Sequence, residues 1–237
     1  KGKNPDICAQ CKKPSCISPV ICKNLNADHT PLLDIYKEVD NIPEIKRSFV
    51  GSGIRYDLLL HRYTDDNLNK ATHTYMEELI ARHVSGRLKV APEHTEDNVL
   101  KMMRKPSFEL FGQFKKIFDR VNKQHGLNQQ LIPYFISSHP GCTETDMANL
   151  AIQTKKLHFQ LEQVQDFTPT PMTLATEMYY TGYHPYTLEK VYTARTKEQK
   201  LAQRQFFFWY KPEFRRQITQ ALQRIGKKDL IGKLFGR

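Results

Sequence analysis

Beyond residue 22 the chain holds a single cysteine, Cys142. It has no run of about 18 apolar residues, so no segment reads as a helix that crosses a bilayer. No basic stretch followed by an apolar core opens it, so no secretory leader is read. These absences predict a cytoplasmic protein with reduced thiols and no membrane partner. The first residue is Lys1, not Met, which predicts a piece whose N-terminal part has been removed. No glycine-rich phosphate loop follows any expected strand, so a dinucleotide or nucleoside-triphosphate fold lacks its fingerprint. Acid is in deficit: 25 Asp and Glu stand against 36 Lys and Arg, a net charge of +11. That excess favours polyanions, yet no nucleic-acid reader motif of the usual kinds is present. Hydrophobic residues at 39% and charged residues at 26% are those of an ordinary globular protein with a real core.

Four of the five cysteines, Cys8, Cys11, Cys16 and Cys22, stand in the stretch CAQCKKPSCISPVIC. The spacing is C-x2-C-x4-C-x5-C. Four thiols this close, without a leader, point to metal or cluster ligation rather than a disulfide scaffold. Zinc takes four thiolates tetrahedrally, and an iron–sulfur cluster takes the same set. Zinc sites usually separate two Cys-x-x-Cys pairs by a dozen or more residues, and this sequence does not. The cluster, zinc and unligated thiols all stay open, and Cys142 reads as a small buried side chain.

Periodicity then orders the rest. Thr30 is a candidate N-cap for a helix with Pro31 at its first position. EIKRSFVGSGIR reads as a short strand running into a glycine turn. Leu68, Tyr75, Leu79 and Val84 share a helical face, with Gly86 as the stop. RLKVAPEH is a second strand, and TEDNVLKMMRKP a short helix ended by Pro106. Phe111, Phe114, Phe118 and Val121 mark an amphipathic helix before QQLIPYFISSHPG, the third strand. Thr143 and Asp146 form a capping-box pattern for a helix burying Met147, Leu150, Ala151 and Leu157. QLEQVQDFTPTP is the fourth strand. Strand–helix alternation of this kind predicts a parallel sheet with helices outside it. A ligand would then sit at the strands' C-terminal ends. Polar residues collect there: Ser52 and Arg55, then Glu93 and His94, then Ser137, Ser138 and His139, then Gln165, Asp166 and Thr168. From about Thr181 a basic tail follows, read as two helices broken at Pro212, with the aromatic run Phe206–Tyr210 docked inward and the charges facing water.

GRLKVAPEHTEDNVLKMMRKP, YFISSHPGCTETDMANLA and VQDFTPTPMTLATEMYYTG resemble successive segments of radical S-adenosylmethionine (SAM) enzymes. With SGIRYDLL and CKKPSCISPVICKNLN, the chain resembles the YgiQ-like radical SAM proteins. The resemblance implies an α/β fold, the C-terminal half of a partial (β/α)6 TIM-like barrel. A Cys-rich lead-in and helix would cover 1–44, the half-barrel 45–180 and a basic helical extension 181–237. It also implies a SAM cofactor, with Ser52 and Arg55 near its ribose or carboxylate. Val90, Ala91 and Glu93 would contact the adenosyl group, and the backbone of Phe135, Ile136, Ser137 and Ser138 would flank the adenine.

The family's Cys-x3-Cys-x2-Cys loop, which holds the SAM-cleaving [4Fe–4S] cluster, is absent. The resemblance therefore places that loop and the N-terminal half of the barrel upstream of Lys1. Cys8, Cys11, Cys16 and Cys22 become a second cluster or zinc site. The function expected is reductive cleavage of SAM to a 5′-deoxyadenosyl radical by the longer protein, on an unidentified small-molecule or macromolecular substrate, with this fragment inactive alone. The rival expectation is a metal-containing RNA- or protein-binding module that uses the basic tail.

Overall fold

The computed structural model of the protein describes residues 2–236. The chain divides into two compact units. One takes the residues up to Val90 together with Glu109–Leu131, and the other takes Ala91–Phe108 and the chain from Ile132 onward.

In the first unit, α1 (Pro5–Ala9) is a short turn capped by the Asn4 side chain, which accepts from the Asp6 and Ile7 amides. α2 (Thr30–Asp40) begins one residue away from the expected cap. Its N-cap is His29, and Thr30 instead donates its amide to Asp28 Oδ1 at 2.9 Å. α3 (Tyr56–Leu60) and α4 (Asp66–Arg82) follow. α4 starts on Asp65, whose carboxylate accepts from the Asn67 and Leu68 amides, the usual way to satisfy orphan donors at a helix start. Its predicted stripe is buried: Leu68, Tyr75 and Leu79, with Val84 beyond the end. α6 (Phe108–Gln124) buries Phe111, Phe114, Phe118 and Val121 from the 3.6-residue period that predicts them. Tyr56 stacks on Phe114 at 5.7 Å and meets Phe111 edge-on.

The expected first strand is a correction. EIKRSFVGSGIR forms no strand, only one parallel bridge between Ile54 and Val90. Gly51 and Gly53 flank Ser52 with little side chain to pack, which weakens a strand.

The sheet has three parallel strands in the order β1-β2-β3: β1 (Arg87–Glu93), β2 (Gln130–Ser137) and β3 (Gln163–Asp166). Tyr134 pairs with Gln163, and Ser137 with Asp166. α5 (Asp97–Met102) lies between β1 and α6, and α7 (Glu144–Lys156) between β2 and β3. The alternation read from sequence is therefore present as a mixed α/β fold. Three strands are too few to close a barrel by themselves. The Thr143–Asp146 capping box forms with both hydrogen bonds in place.

α8 (Leu174–Thr181), α9 (Lys197–Arg204), a 3-10 turn (Gln205–Phe208), α10 (Pro212–Arg224) and α11 (Asp229–Phe235) complete the second unit. Pro212 sits in the first turn of α10, where a missing amide costs nothing. Phe206 and Phe207 are fully buried in one core with Phe135, Met147, Leu150, Ile218 and Leu222. The tail docks by its aromatics, while Arg215, Arg216, Lys227 and Lys228 are exposed. Among the described residues no helix is long and apolar enough to cross a membrane.

Candidate functional site at the strand ends

In the second unit a cavity of about 320 Å³ opens at the C-terminal ends of the strands. Glu93 from β1, Ile136 from β2, and Gln165 and Asp166 from β3 reach it. Lys105, His139, Phe167, Thr168, Thr170 and Thr173 complete its polar and aromatic wall. β2 alternates buried and half-open residues: Phe135 and Ser137 point into the core, Tyr134 and Ile136 to the other face.

Two residues at these strand ends share an uncommon conformation. Glu93 has φ 68° and Ser138 has φ 60°, the left-handed region that L side chains disfavour. Each also holds a shielded oxygen with no hydrogen-bond partner, Glu93 Oε2 and Ser138 Oγ. Strained positions that carry unsatisfied buried polar atoms collect at functional sites. The other Glu93 oxygen meets Lys105 Nζ at 3.0 Å. The Tyr134 hydroxyl donates to Gln165 Oε1. Burial and the Glu93 carboxylate both push the Tyr134 phenol above its usual range, burial more.

Around the site the polar groups are committed. Ser137 Oγ donates to Asp166 Oδ1 at 2.6 Å, and Arg204 Nη1 donates to the other Asp166 oxygen at 3.2 Å. Gln203, fully buried on α9, accepts from the Ser138 amide at 2.8 Å and donates to the Cys142 carbonyl at 2.7 Å. Burial holds His139 down to about 4 and His94 down to about 3, so both imidazoles are neutral near pH 7. His94 Nδ1 accepts the Glu96 amide, which leaves the proton on Nε2, 3.5 Å from Cys142 Sγ. That imidazole donates to the sulfur and cannot act as its base. Burial also pushes the Cys142 thiol well up, so Cys142 is structural, as its sequence context suggests.

The sequence-predicted SAM residues distribute as follows. Glu93 and Ile136 line the cavity. Phe135, Ser137 and Ser138 are fully buried, and Ala91 is half-buried. Ser52 and Arg55 belong to the first unit, as does the buried Val90. Both Ser52 and Arg55 line a separate cavity of about 300 Å³ with His29, Tyr36 and Tyr75. Arg55 forms a two-pronged ion pair with Asp57. Lys105, Tyr134, Arg204 and Gln203 were missed by sequence reasoning. Lys105 and Tyr134 carry no local motif, and the Thr196–Gln199 capping box fixes the phase of α9 but not its partners.

Cys8, Cys11 and Cys16 are exposed and Cys22 half-buried, all as free thiols. Cys8 Sγ accepts from Asn24 Nδ2 at 3.2 Å, and Cys11 Sγ from the Lys13 amide at 3.4 Å. Among the described residues no group of three or more His, Cys, Asp or Glu side chains is placed to hold a metal ion. The donor set suits a thiolate metal in kind, but its arrangement here does not gather it.

Similarity follows the same segments. A family model described as a domain of unknown function, DUF3362, matches residues 162–235, from β3 through α11. The chain is 68% identical over all its 237 residues to a UPF0313 protein of Bacteroides thetaiotaomicron, and spans 38% of that protein. It is similar throughout its length to UPF0313 proteins. The likeness is 66% over 237 residues in Porphyromonas gingivalis, where the chain spans 37% of the relative. In Pseudomonas putida it is 41% over 235 residues, 97% of this chain and 29% of the relative. The chain thus spans well under half the length of the UPF0313 proteins it matches.

Proposed function

We propose that the longer UPF0313-type protein is a radical SAM enzyme and that this chain supplies one wall of its SAM and substrate site. UPF0313 is the YgiQ-like family, which the strand-end segments resemble. The observation that carries the reading is the pair Glu93 and Ser138, each held left-handed with a shielded, unpartnered oxygen at the end of adjacent parallel strands. A second feature supports it. Parallel sheets are normally covered on both faces, yet here Glu93, Tyr134 and Gln165 are left half-open or exposed. Such a face suits the lumen of a barrel completed by chain outside these residues.

When bound, SAM and a reduced [4Fe–4S] cluster would supply the 5′-deoxyadenosyl radical, chemistry that belongs to the cofactors. This chain's residues fit the binding side of that work. Glu93 presents a carboxylate to the cavity, neutralised in part by Lys105. Ile136 gives an apolar surface for a flat ring, and the β2 backbone beside it is fixed by pairing with β3. Ser137 serves indirectly, holding Asp166, which Arg204 also clamps. Cys8, Cys11, Cys16 and Cys22 are proposed as ligands of a further cluster or zinc; no step of the reaction is assigned to them.

The test is formation of 5′-deoxyadenosine from SAM by the anaerobically reconstituted longer protein. Glu93→Gln is expected to weaken SAM binding with the fold intact. Iron, sulfide and zinc analysis of the same preparations, with Cys8→Ala and Cys16→Ala alongside, reads the thiol site separately. No SAM binding and no 5′-deoxyadenosine from a protein loaded with its cluster would overturn the enzyme reading. Equal, near-zero metal in all preparations would retire the thiol site.

A further inference from the structure

The sequence places an aromatic, basic candidate for RNA contact in the tail, but the structure buries Phe206 and Phe207 and leaves Phe208, Trp209 and Tyr210 half-buried. Phe206 and Phe207 are core residues, and Trp209 donates to Thr154 Oγ1 at 3.2 Å. A group of exposed aromatics lies elsewhere in the second unit. Tyr180 is 67% exposed and Tyr186 63%, with Tyr183 and Tyr192 also exposed. All four fall within the 13 residues from 180 to 192.

These residues are not on a loose loop. Val191 donates its amide to the Gly182 carbonyl at 2.8 Å, Tyr183 bridges Lys190 antiparallel, and His184 donates to Glu189. The result is a closed hairpin with Tyr186 near its tip. Cations stand among the rings. The Arg104 guanidinium lies 5.8 Å from the Tyr186 ring centre, and Lys190 and Arg195 are exposed. Arg195 is anchored by donating to the Tyr180 carbonyl at 2.9 Å. The hairpin is also tied to the strand-end cavity. Arg104 precedes Lys105, which lines it, and the segment holding Thr170 and Thr173 continues into α8 and then the hairpin.

We propose that the segment from Tyr180, at the end of α8, through the hairpin to Tyr192 binds single-stranded nucleic acid, with tyrosine rings stacking on bases and Arg104, Lys190 and Arg195 meeting phosphates. Exposed rings interleaved with cations are the chemistry of a sequence-tolerant strand platform. Every base offers a π face, and tyrosine pairs a flat ring with a hydroxyl that stays wet. The net charge of +11 favours a polyanion over a neutral protein surface. The proposal goes beyond the enzyme reading and does not depend on it, because binding is read without SAM or cluster.

The experiment is fluorescence anisotropy of labelled 12-residue oligo(U) RNA and oligo(dT) DNA with the full 237-residue chain at low salt. Tyr180→Ala with Tyr186→Ala is expected to weaken binding by about tenfold or more, since stacked bases carry that order of effect. Tyr180→Phe with Tyr186→Phe retains binding, because the ring stays. Arg104→Ala lowers the salt dependence of binding as well as its strength. Because both tyrosines are exposed, circular dichroism of the alanine variant should match the wild type. RNA bound more tightly than DNA would assign ribose recognition to the platform, and equal binding would assign stacking and phosphate contacts alone; either supports the proposal. Three results overturn it. One is no binding of either oligonucleotide at low salt. Another is binding unchanged in the alanine pair but lost in Arg215→Glu with Arg216→Glu, which returns the site to the tail. The third is self-association of the chain that the alanine pair abolishes while oligonucleotide binding is absent, which assigns the patch to a protein partner.

Discussion

Gln203 is the residue on which the strand-end geometry of the second unit most directly rests. It is fully buried, and its amide joins two segments that no ladder reaches: the Ser138 N–H just past β2 and the Cys142 carbonyl ahead of α7. Gln203→Met keeps nearly the same volume and removes both partners, so little cavity forms. Two buried backbone groups are then left unpaired, at about 1–3 kcal/mol each, for a total of about 2–6 kcal/mol. For a domain of this size that corresponds to a fall in Tm of roughly 5–15 °C. The chain's single tryptophan, Trp209, lies in the same unit, so urea unfolding followed by its fluorescence reads the correct part. Gln203→Glu can still accept from Ser138 but cannot donate to Cys142, and it buries a charge. It should be at least as damaging at neutral pH. A Gln203→Met protein within about 0.5 kcal/mol of wild type, with the same denaturant slope, would refute the reasoning, because surface substitutions already scatter by that much.

Ser138→Gly removes a left-handed serine and an unpartnered buried hydroxyl at once. It should raise the stability of the second unit by about 1 kcal/mol, after the entropy of glycine is allowed for. A lower melting temperature would show that the hydroxyl is satisfied. The second unit should also lose stability in acid. His94 and His139 have folded values near 3 and 4 against an ordinary 6.5, so their contribution is complete above about pH 6.5 and falls as the unfolded chain takes up protons that the folded one refuses. At pH 5 the two together cost about 4 kcal/mol. Urea midpoints between pH 7 and 5 measure this, and His94→Gln with His139→Gln should flatten the fall. A pH-independent midpoint in the wild type would contradict the buried, neutral assignment.

What the sequence determined by itself is what short-range rules govern. The faces of α4 and α6 follow from apolar residues three and four apart. The start of α7 follows from Thr143 and Asp146. Strand–helix alternation predicts parallel pairing, and the strand ends mark the cavity that Glu93, Ile136 and Asp166 reach. The inward turn of the tail's aromatics was also legible, since five consecutive aromatic residues are costly to leave in water.

The tertiary structure alone decided what depends on distant partners. EIKRSFVGSGIR has strand-like residues, but a strand exists only where a neighbour supplies a ladder, and here β1 supplies a single bridge. No local pattern shows that Glu93 and Ser138 must turn left-handed, because their φ angles answer to what surrounds the strand ends rather than to their own preferences. The pairing of Lys105 with Glu93 joins residues 12 apart, that of Gln203 with Ser138 residues 65 apart, and that of Arg204 with Asp166 residues 38 apart. Hydrogen bonds at such separations follow from packing, and packing is a property of the folded chain.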